Sequence, residues 1–526
     1  MRVTTKRSEA RGAFFVAAGI LVSRVAGLVR LRAFAHYFGL QSDAADAFNA
    51  AFRIPNLLQN LFGEGALSAS FIPVYASLLG RGDAREADRV AGAVGALLAL
   101  TTSVLVAIGV AAAPFLIAVI APGFSGEKRE LTVVLVRVLF PGAGLLVLSA
   151  WCLGVLNSHR RFLLSYAAPV MWNAAMVVTL VMFGNSAPLP RLAVLLAWGS
   201  VAGSALQFLV QLPVVVRAAP GLRFALNRAS APVRQVARNF VPVFIGRGVV
   251  QISAFVDTLI ASLLPTGAVT GLANAQLLYT LPVSLFGMSV AAAELPAMAA
   301  EGGSEGAARD ALRARLNDGL RRIAFFVVPS AIAFLAFGDV IAAALLQTGR
   351  FGRDDAIFVW GILAGSALGL LATTLGRLYS STYYALHDTR TPLGFAVLRI
   401  GVATILGYLL AVRAPAVLGM PRIWGAAGLT VSASLAGWLE LLLLRRALNA
   451  RIGPTGLPAP YVATLWLLGI VAAAAAWGVR MVIPAMHPAI AAAVVLGPYG
   501  IVYIGGAMMR GIPEARALLR RVRPRS

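Results

Sequence analysis

Charge is what this sequence has least of. Only 13% of its 526 residues are Asp, Glu, Lys or Arg, against 59% hydrophobic, and the mean hydropathy is +0.82. An ordinary soluble domain carries about 25% charged residues. A soluble chain of this length would split into domains separated by polar surface, and too few charges are present to cover such surfaces. A soluble enzyme and a disordered chain are thereby excluded, and a polytopic membrane protein remains. Cysteine is almost missing: Cys152 stands alone in an apolar stretch. No disulfide framework and no CxxC metal or redox pair can form. Four histidines (36, 159, 387 and 487) are too scattered for a local ligand motif. Lysine is confined to Lys6 and Lys128, which leaves no Walker A lysine. No G-x-S-x-G elbow or HExxH occurs either. These absences argue against catalysis, and no cofactor or metal is expected.

What is present is a series of apolar segments long enough to cross a bilayer as helices. They fall near 13–38, 46–78, 90–120, 131–156, 162–184, 191–216, 235–264, 270–299, 320–346, 356–386, 392–412, 423–446, 460–482 and 488–509, about fourteen in all. The first segment has a basic start but is interrupted by Arg24 and Arg30 and lacks a convincing cleavage site, so it reads as a retained span. Pro55, Pro73, Pro282 and Pro296 predict kinks or breaks in the second and eighth segments. Glycine, 52 residues, suits close packing of helices in lipid.

The net charge of +24 is better explained by topology than by nucleic acid. With the N-terminus inside, 29 of the 45 cations lie in or beside inner segments, 8 in outer loops and 8 within spans. That asymmetry places both termini in the cytoplasm. The stretch Glu301–Arg322 reads as an amphipathic surface helix whose arginines meet anionic headgroups. An internal repeat is visible: FRIPNLLQNLFGEGALSASFIP in segment 2 and YTLPVSLFGMSVAAAELP in segment 8 share x-Pro, Leu-Phe-Gly and Pro. Such repeats suggest two six-helix bundles plus two extra helices, with a substrate between the halves.

The cations within spans are Arg24, Arg30, Arg32, Arg53, Arg137, Arg247, Arg377 and Arg399. A charge at the bilayer centre costs about 2.5–3.5 kcal/mol on insertion scales, so each needs a wet cavity or a partner. Arg24 lies about 18 Å into the first span, too deep to snorkel. Arg24, Arg30 and Arg53 outnumber the acids nearby, Asp46 and Glu64. This excess argues for an anionic ligand, and the planar fork of arginine matches phosphate. The competing reading is internal pairing, Arg53 with Asp46 or Arg24 with Glu64. Asp257 is a lone acid in the seventh segment, for which Arg399 is a candidate ion-pair partner.

SRVAGLVR (23–30) followed by DAFNAAFRIPNLLQNLFGEGALSASFIPVY (46–75) closely resembles the start of the MurJ/MviN lipid II flippases. APGF (121–124), GVLNSHRRF (154–162), LLQTGRF (345–351) and YYALHDTRTP (383–392) extend the resemblance through nearly the whole chain. The resemblance implies an all-α fold of the multidrug/oligosaccharidyl-lipid/polysaccharide exporter superfamily. Its expected parts are an N-terminal lobe (1–220), a C-terminal lobe (221–450), a lipid-tail groove formed by two further helices (451–510) and a basic cytoplasmic tail (511–526). It also implies flipping of an undecaprenyl-pyrophosphate-linked disaccharide-pentapeptide across the bacterial cytoplasmic membrane by alternating access. Expected partners are lipid II, anionic lipids, and proteins of wall synthesis and division. Carried over residue by residue, the substrate site comprises Arg24, Arg30, Asp46, Arg53, Asn56 and Glu64.

Several positions depart from the family pattern. Gln59 stands where some members have a basic residue, and Gln276-Leu277 replace an Asp-Arg pair. Some members bind sodium through an acid on helix 7 and Asn or Asp on helix 11; Asp257 fits the first, whereas helix 11 offers Arg399. Another polyprenyl-pyrophosphate glycan, of O-antigen or teichoic type, is the alternative substrate. A membrane glycosyltransferase is disfavoured by the short outer loops.

Overall fold

The computed structural model describes residues 2–225, 230–291, 294, 298 and 305–522. These residues are helical apart from turns and one isolated bridge between Thr348 and Phe351. Among them, nine helices are long and apolar enough to cross a membrane, or ten if a pair bent by 45°, Arg353–Ala367 and Leu370–Ala385, is one span. The other expected segments are broken or carry charge. Segment 2 divides into α1 (Asp43–Phe62), α2 (Glu64–Ser70) and α3 (Ile72–Gly80). Its breaks fall at Gly63 and Phe71, while Pro55 is accommodated inside α1 and Pro73 near the start of α3, where a missing N–H costs least. In segment 8 the helix Ala268–Pro282 passes into a wider π turn, Val283–Met288. Pro296, the second proline of the repeat, lies outside the described residues.

The chain divides into two compact units: 1–269 with 348–351, and 270–347 with 352–526. The division falls later than the expected boundary at 220, because α4 (Ala231–Ser262) packs with the first unit. The reason is physical. Phe62 of α1 lies against Phe240 and Phe244 of α4, with ring centroids 5.4 and 5.3 Å apart. Asn60 donates to Gln251 at 3.2 Å, and Ser262 accepts from the Gly123 N–H at 3.2 Å.

The rest of the first unit centres on α5 (Gly126–Ser158), whose buried face includes Leu139, Val147 and Trp151. The Trp151 indole donates to the Ala91 carbonyl at 3.0 Å, so this large ring is buried without losing its polar handle.

In the second unit, the long helix Glu305–Leu346 is kinked at Phe337 and holds Pro329 within it. The proline ring leaves the Phe325 carbonyl without the usual i+4 donor. The Tyr503 hydroxyl of the helix Pro488–Met509 donates to that carbonyl at 2.8 Å, and Tyr499 donates to Pro329 O at 2.7 Å. Nearby, Arg480 of the helix Ala459–Val482 meets Asp339 with both nitrogens, at 2.6 and 3.1 Å. The last two hydrophobic helices are thus fixed by polar contacts to one proline-containing helix. In the turn after the helix Leu370–Ala385, the Asp388 carboxylate accepts the backbone and hydroxyl of Thr391 and pairs with Arg451. Those contacts hold it well below the usual carboxylate range.

Candidate functional site

The first-unit candidates sit on the helix Arg2–Phe38, on α1 and at the start of α2. On α1, Asp46, Arg53 and Asn60 are spaced by seven, which puts them on one face of a helix. Each meets a polar group of α4 or of the turn that follows it. Asp46, only 1% exposed, accepts from the Gly267 N–H at 2.9 Å. Arg53 lies in the field of Asp257. Asn60 bonds Gln251 through its side chain, and its carbonyl accepts from Arg247 at 3.1 Å. The seam continues to Glu64, which faces the charge of Arg247. Gly65 leaves room for it: a Cβ there would lie 1.6 Å from the Arg247 guanidinium, which would have to shift.

At the other end of the seam Lys128 reaches between two acids. Its ammonium is 2.9 Å from Asp46 and 3.0 Å from Asp43, and lies over the Phe124 ring at 4.4 Å. Thr266 donates to Asp43 at 2.7 Å. Asp46 is therefore neutralised by a lysine that sequence reasoning had considered only as a missing P-loop residue.

Arg30 has different company. Its Nε donates to Asn173 Oδ1 at 2.9 Å, and its guanidinium stands 4.9 Å from the Trp172 ring centre. Trp172 is stacked on Phe52 at 5.7 Å and donates to Ser200 at 3.0 Å. These partners are neutral, so they position the guanidinium without cancelling its charge. Arg24 is exposed and, among the described residues, makes no hydrogen bond or ion pair; the considered pairing with Glu64 is absent. Asn56 and Gln59 line a small pocket with Phe52, Ser200 and Ser204.

Arg399 forms an ion pair with Glu440, at 3.0 Å. Arg399 and Glu440 lie on helices of the second unit that pack against each other, Arg390–Tyr408 and Gly425–Ile452, whereas Asp257 belongs to the first unit and faces Arg53. Lys128, Arg247, Gln251 and Asn173 were missed as site residues. The seven-residue spacing of Asp46, Arg53 and Asn60 is the signal that could have found the seam.

Taken together, the first unit offers two arginines, Arg30 and Arg24, whose charge is oriented or left open, on the same helix set as a buried Asp46 already held by Lys128. Such an arrangement can receive an anion. A family model described as "Lipid II flippase MurJ" matches residues 34–497. A Burkholderia cenocepacia protein named "Lipid II flippase MurJ" is 32% identical over 437 residues, 82% of each chain. A Haemophilus influenzae "Probable lipid II flippase MurJ" is 30% identical, over 81% of this chain and 84% of that one. Among solved structures, "Lipid II flippase MurJ, inward closed conformation" aligns with a TM-score of 0.74 at 22% identity, covering 94% of this chain and 99% of that one. An inward-facing MATE family transporter of the MOP superfamily aligns at 0.66 with 17% identity, over 81% and 95%.

Proposed function

Because the chain belongs to the MurJ family of lipid II flippases, we propose that it moves lipid II from the inner to the outer leaflet of the bacterial cytoplasmic membrane. It is a transporter and not an enzyme. The observation that carries this reading is the unequal use of charge in the first unit. Asp46 is held by Lys128 and a main-chain N–H, and Glu64 faces Arg247. Arg24 remains open and Arg30 rests on an amide and an indole. The positive charge that insertion makes costly is thus kept available, which suits the pyrophosphate of a polyprenyl carrier.

In this reading Arg24, Arg30 and Arg53 bind the pyrophosphate, with Asn56 beside it. Asp46 and Glu64 hold the backbone seam that shapes the site. Both termini are cytoplasmic, the helices of 451–510 receive the lipid tail, and the basic end of the chain meets anionic headgroups. Transport proceeds by alternating access. Complementation tests it: depletion of a host's lipid II flippase is rescued by expression of this chain. Membrane insertion at normal level without rescue would reject lipid II as the substrate. Gln59, in the pocket with Asn56, replaces a basic residue of some relatives and keeps another polyprenyl-pyrophosphate glycan as the second reading.

A further inference from the structure

The second unit has its own group of intramembrane charges. Arg377 is on the helix Leu370–Ala385 and Arg399 on the helix Arg390–Tyr408. One turn joins these helices. Eight residues separate Arg377 from one side of the turn, and nine separate Arg399 from the other. At 1.5 Å per residue both lie about 12–14 Å along their helices from it. In a hydrocarbon core about 30 Å thick, that is close to mid-depth.

One acid serves both. Arg399 Nε is 3.0 Å from Glu440, yet its N–H is buried and not aligned for a hydrogen bond to any partner. Arg377 is exposed and, among the described residues, has no hydrogen bond or ion pair; it acts on Glu440 only through its field. Tyr279 lies in the field of both arginines. It precedes Pro282 and the π turn Val283–Met288 by less than a helical turn, and such wide turns recur at functional sites. Two cations, one acid, an unaligned buried N–H and a phenol make a cluster one negative charge short.

We propose that Arg377, Arg399 and Tyr279 form a second phosphate-binding site, with Glu440 as its partial counter-charge. This deepens the flippase reading and rests on it. The cations come from two helices joined by one turn. The ligand is an anionic phosphate, from the lipid-linked pyrophosphate or from an ordinary phospholipid headgroup. Guanidinium donors and a phenol O–H suit its oxygens.

The test uses the full chain in phosphatidylcholine nanodiscs, with farnesyl pyrophosphate and phosphatidylglycerol as probes. An R24Q/R30Q background weakens the first-unit site. In that background residual farnesyl pyrophosphate binding is expected, and Arg377→Gln should weaken it about tenfold, the scale of one lost charge-assisted contact. Arg377→Lys should recover part of that loss. Glu440→Gln should tighten binding, since it removes the competing charge. Arg399→Gln should weaken both probes if the site reads phosphate in general. Unchanged affinity in the Arg377→Gln variant, or weaker binding in a folded Glu440→Gln variant, overturns the second site. Loss confined to phosphatidylglycerol overturns its assignment to the substrate. Complementation by the wild-type chain tests the flippase reading separately, so the two can fail independently.

Discussion

The two units manage buried charge in opposite ways. In the first, Asp46 takes Lys128 and the Gly267 N–H, Glu64 lies in the field of Arg247, and Asp257 lies in that of Arg53. Of the cations proposed to meet substrate, Arg24 stays open and Arg30 rests on neutral partners, while Arg53 faces Asp257. In the second unit, the acid Glu440 is taken by an arginine, Arg399, and Arg377 supplies the excess. The difference teaches that counting acids near arginines along a sequence does not decide which charges cancel. Asp46 and Glu64 are close to Arg53 in sequence, yet their cations come from residues 128 and 247, on helices far along the chain.

The largest expected effect comes from removing the open charges of the first unit. An Arg24→Ala, Arg30→Ala double variant should lose lipid II flipping by about a hundredfold or more, as two charge-assisted contacts to phosphate disappear. A lipid II accessibility assay in membranes reads this directly, alongside immunoblots of inserted protein. Arg24→Lys should recover only part, because an ammonium lacks the two-pronged fork. Flipping at the wild-type rate in the double variant would show that the open arginines are not the substrate contacts.

Much of this was legible in the sequence. Low charge and long apolar runs give the all-helical membrane class, and the pair SRVAGLVR and RIPNLLQNLFGEGALS points to the family. Arg24, Arg30 and Arg53 stand out because arginine within a span is costly. Partnerships were not legible, for a physical reason. A helix face tells which residues of that helix lie together, but not which face of a distant helix meets them. So neither the Lys128–Asp46 pair nor the Arg399–Glu440 pair could be read from the sequence. Counting helices groups α4 with the later ones, and only the contacts show it packed on the seam Asp46–Arg53–Asn60 and the phenylalanines at 62, 240 and 244.

The next effect tests whether the first unit's acids really belong to their own cations. Lys128→Ala would take away the ammonium 2.9 Å from the buried Asp46. Losing one partner of a buried pair costs about 3–5 kcal/mol. Lys128 is 12% exposed, so a value near the lower end, about 3 kcal/mol, is expected. Thermal unfolding in detergent should show a clear drop in midpoint. A Lys128→Met, Asp46→Asn double variant removes both charges and should be more stable than Lys128→Ala alone. If instead Lys128→Ala unfolds at the wild-type temperature, the lysine is not what neutralises Asp46.

A smaller effect probes the second unit's pairing. Arg480 and Asp339 are both partly exposed, at 26% and 18%, so solvent screens their attraction. Arg480→Ala should cost about 1 kcal/mol, above a typical surface pair only because the contact is two-pronged. Arg480→Lys should recover little of it. Limited proteolysis at the 453–458 connection, compared with the wild type, would report whether the last two helices loosen.

The smallest effect lies at Tyr503, and it separates packing from polar docking. Pro329 leaves the Phe325 carbonyl without a helical donor, and the Tyr503 hydroxyl fills that vacancy at 2.8 Å. Tyr503→Phe keeps the ring, which lies 5.6 Å from that of Phe325, and removes only the hydrogen bond. The carbonyl is then unpaired in a buried setting, at a cost of about 1 kcal/mol. Pro329→Ala in the same background restores a backbone N–H for that carbonyl. The Tyr503→Phe, Pro329→Ala double variant should therefore unfold at a higher temperature than Tyr503→Phe alone. Pro329→Ala by itself should make the hydroxyl partly redundant, so the two changes are not additive. Strictly additive midpoints across this cycle would mean that Tyr503 contributes by packing, and that the proline has no part in holding the last helix.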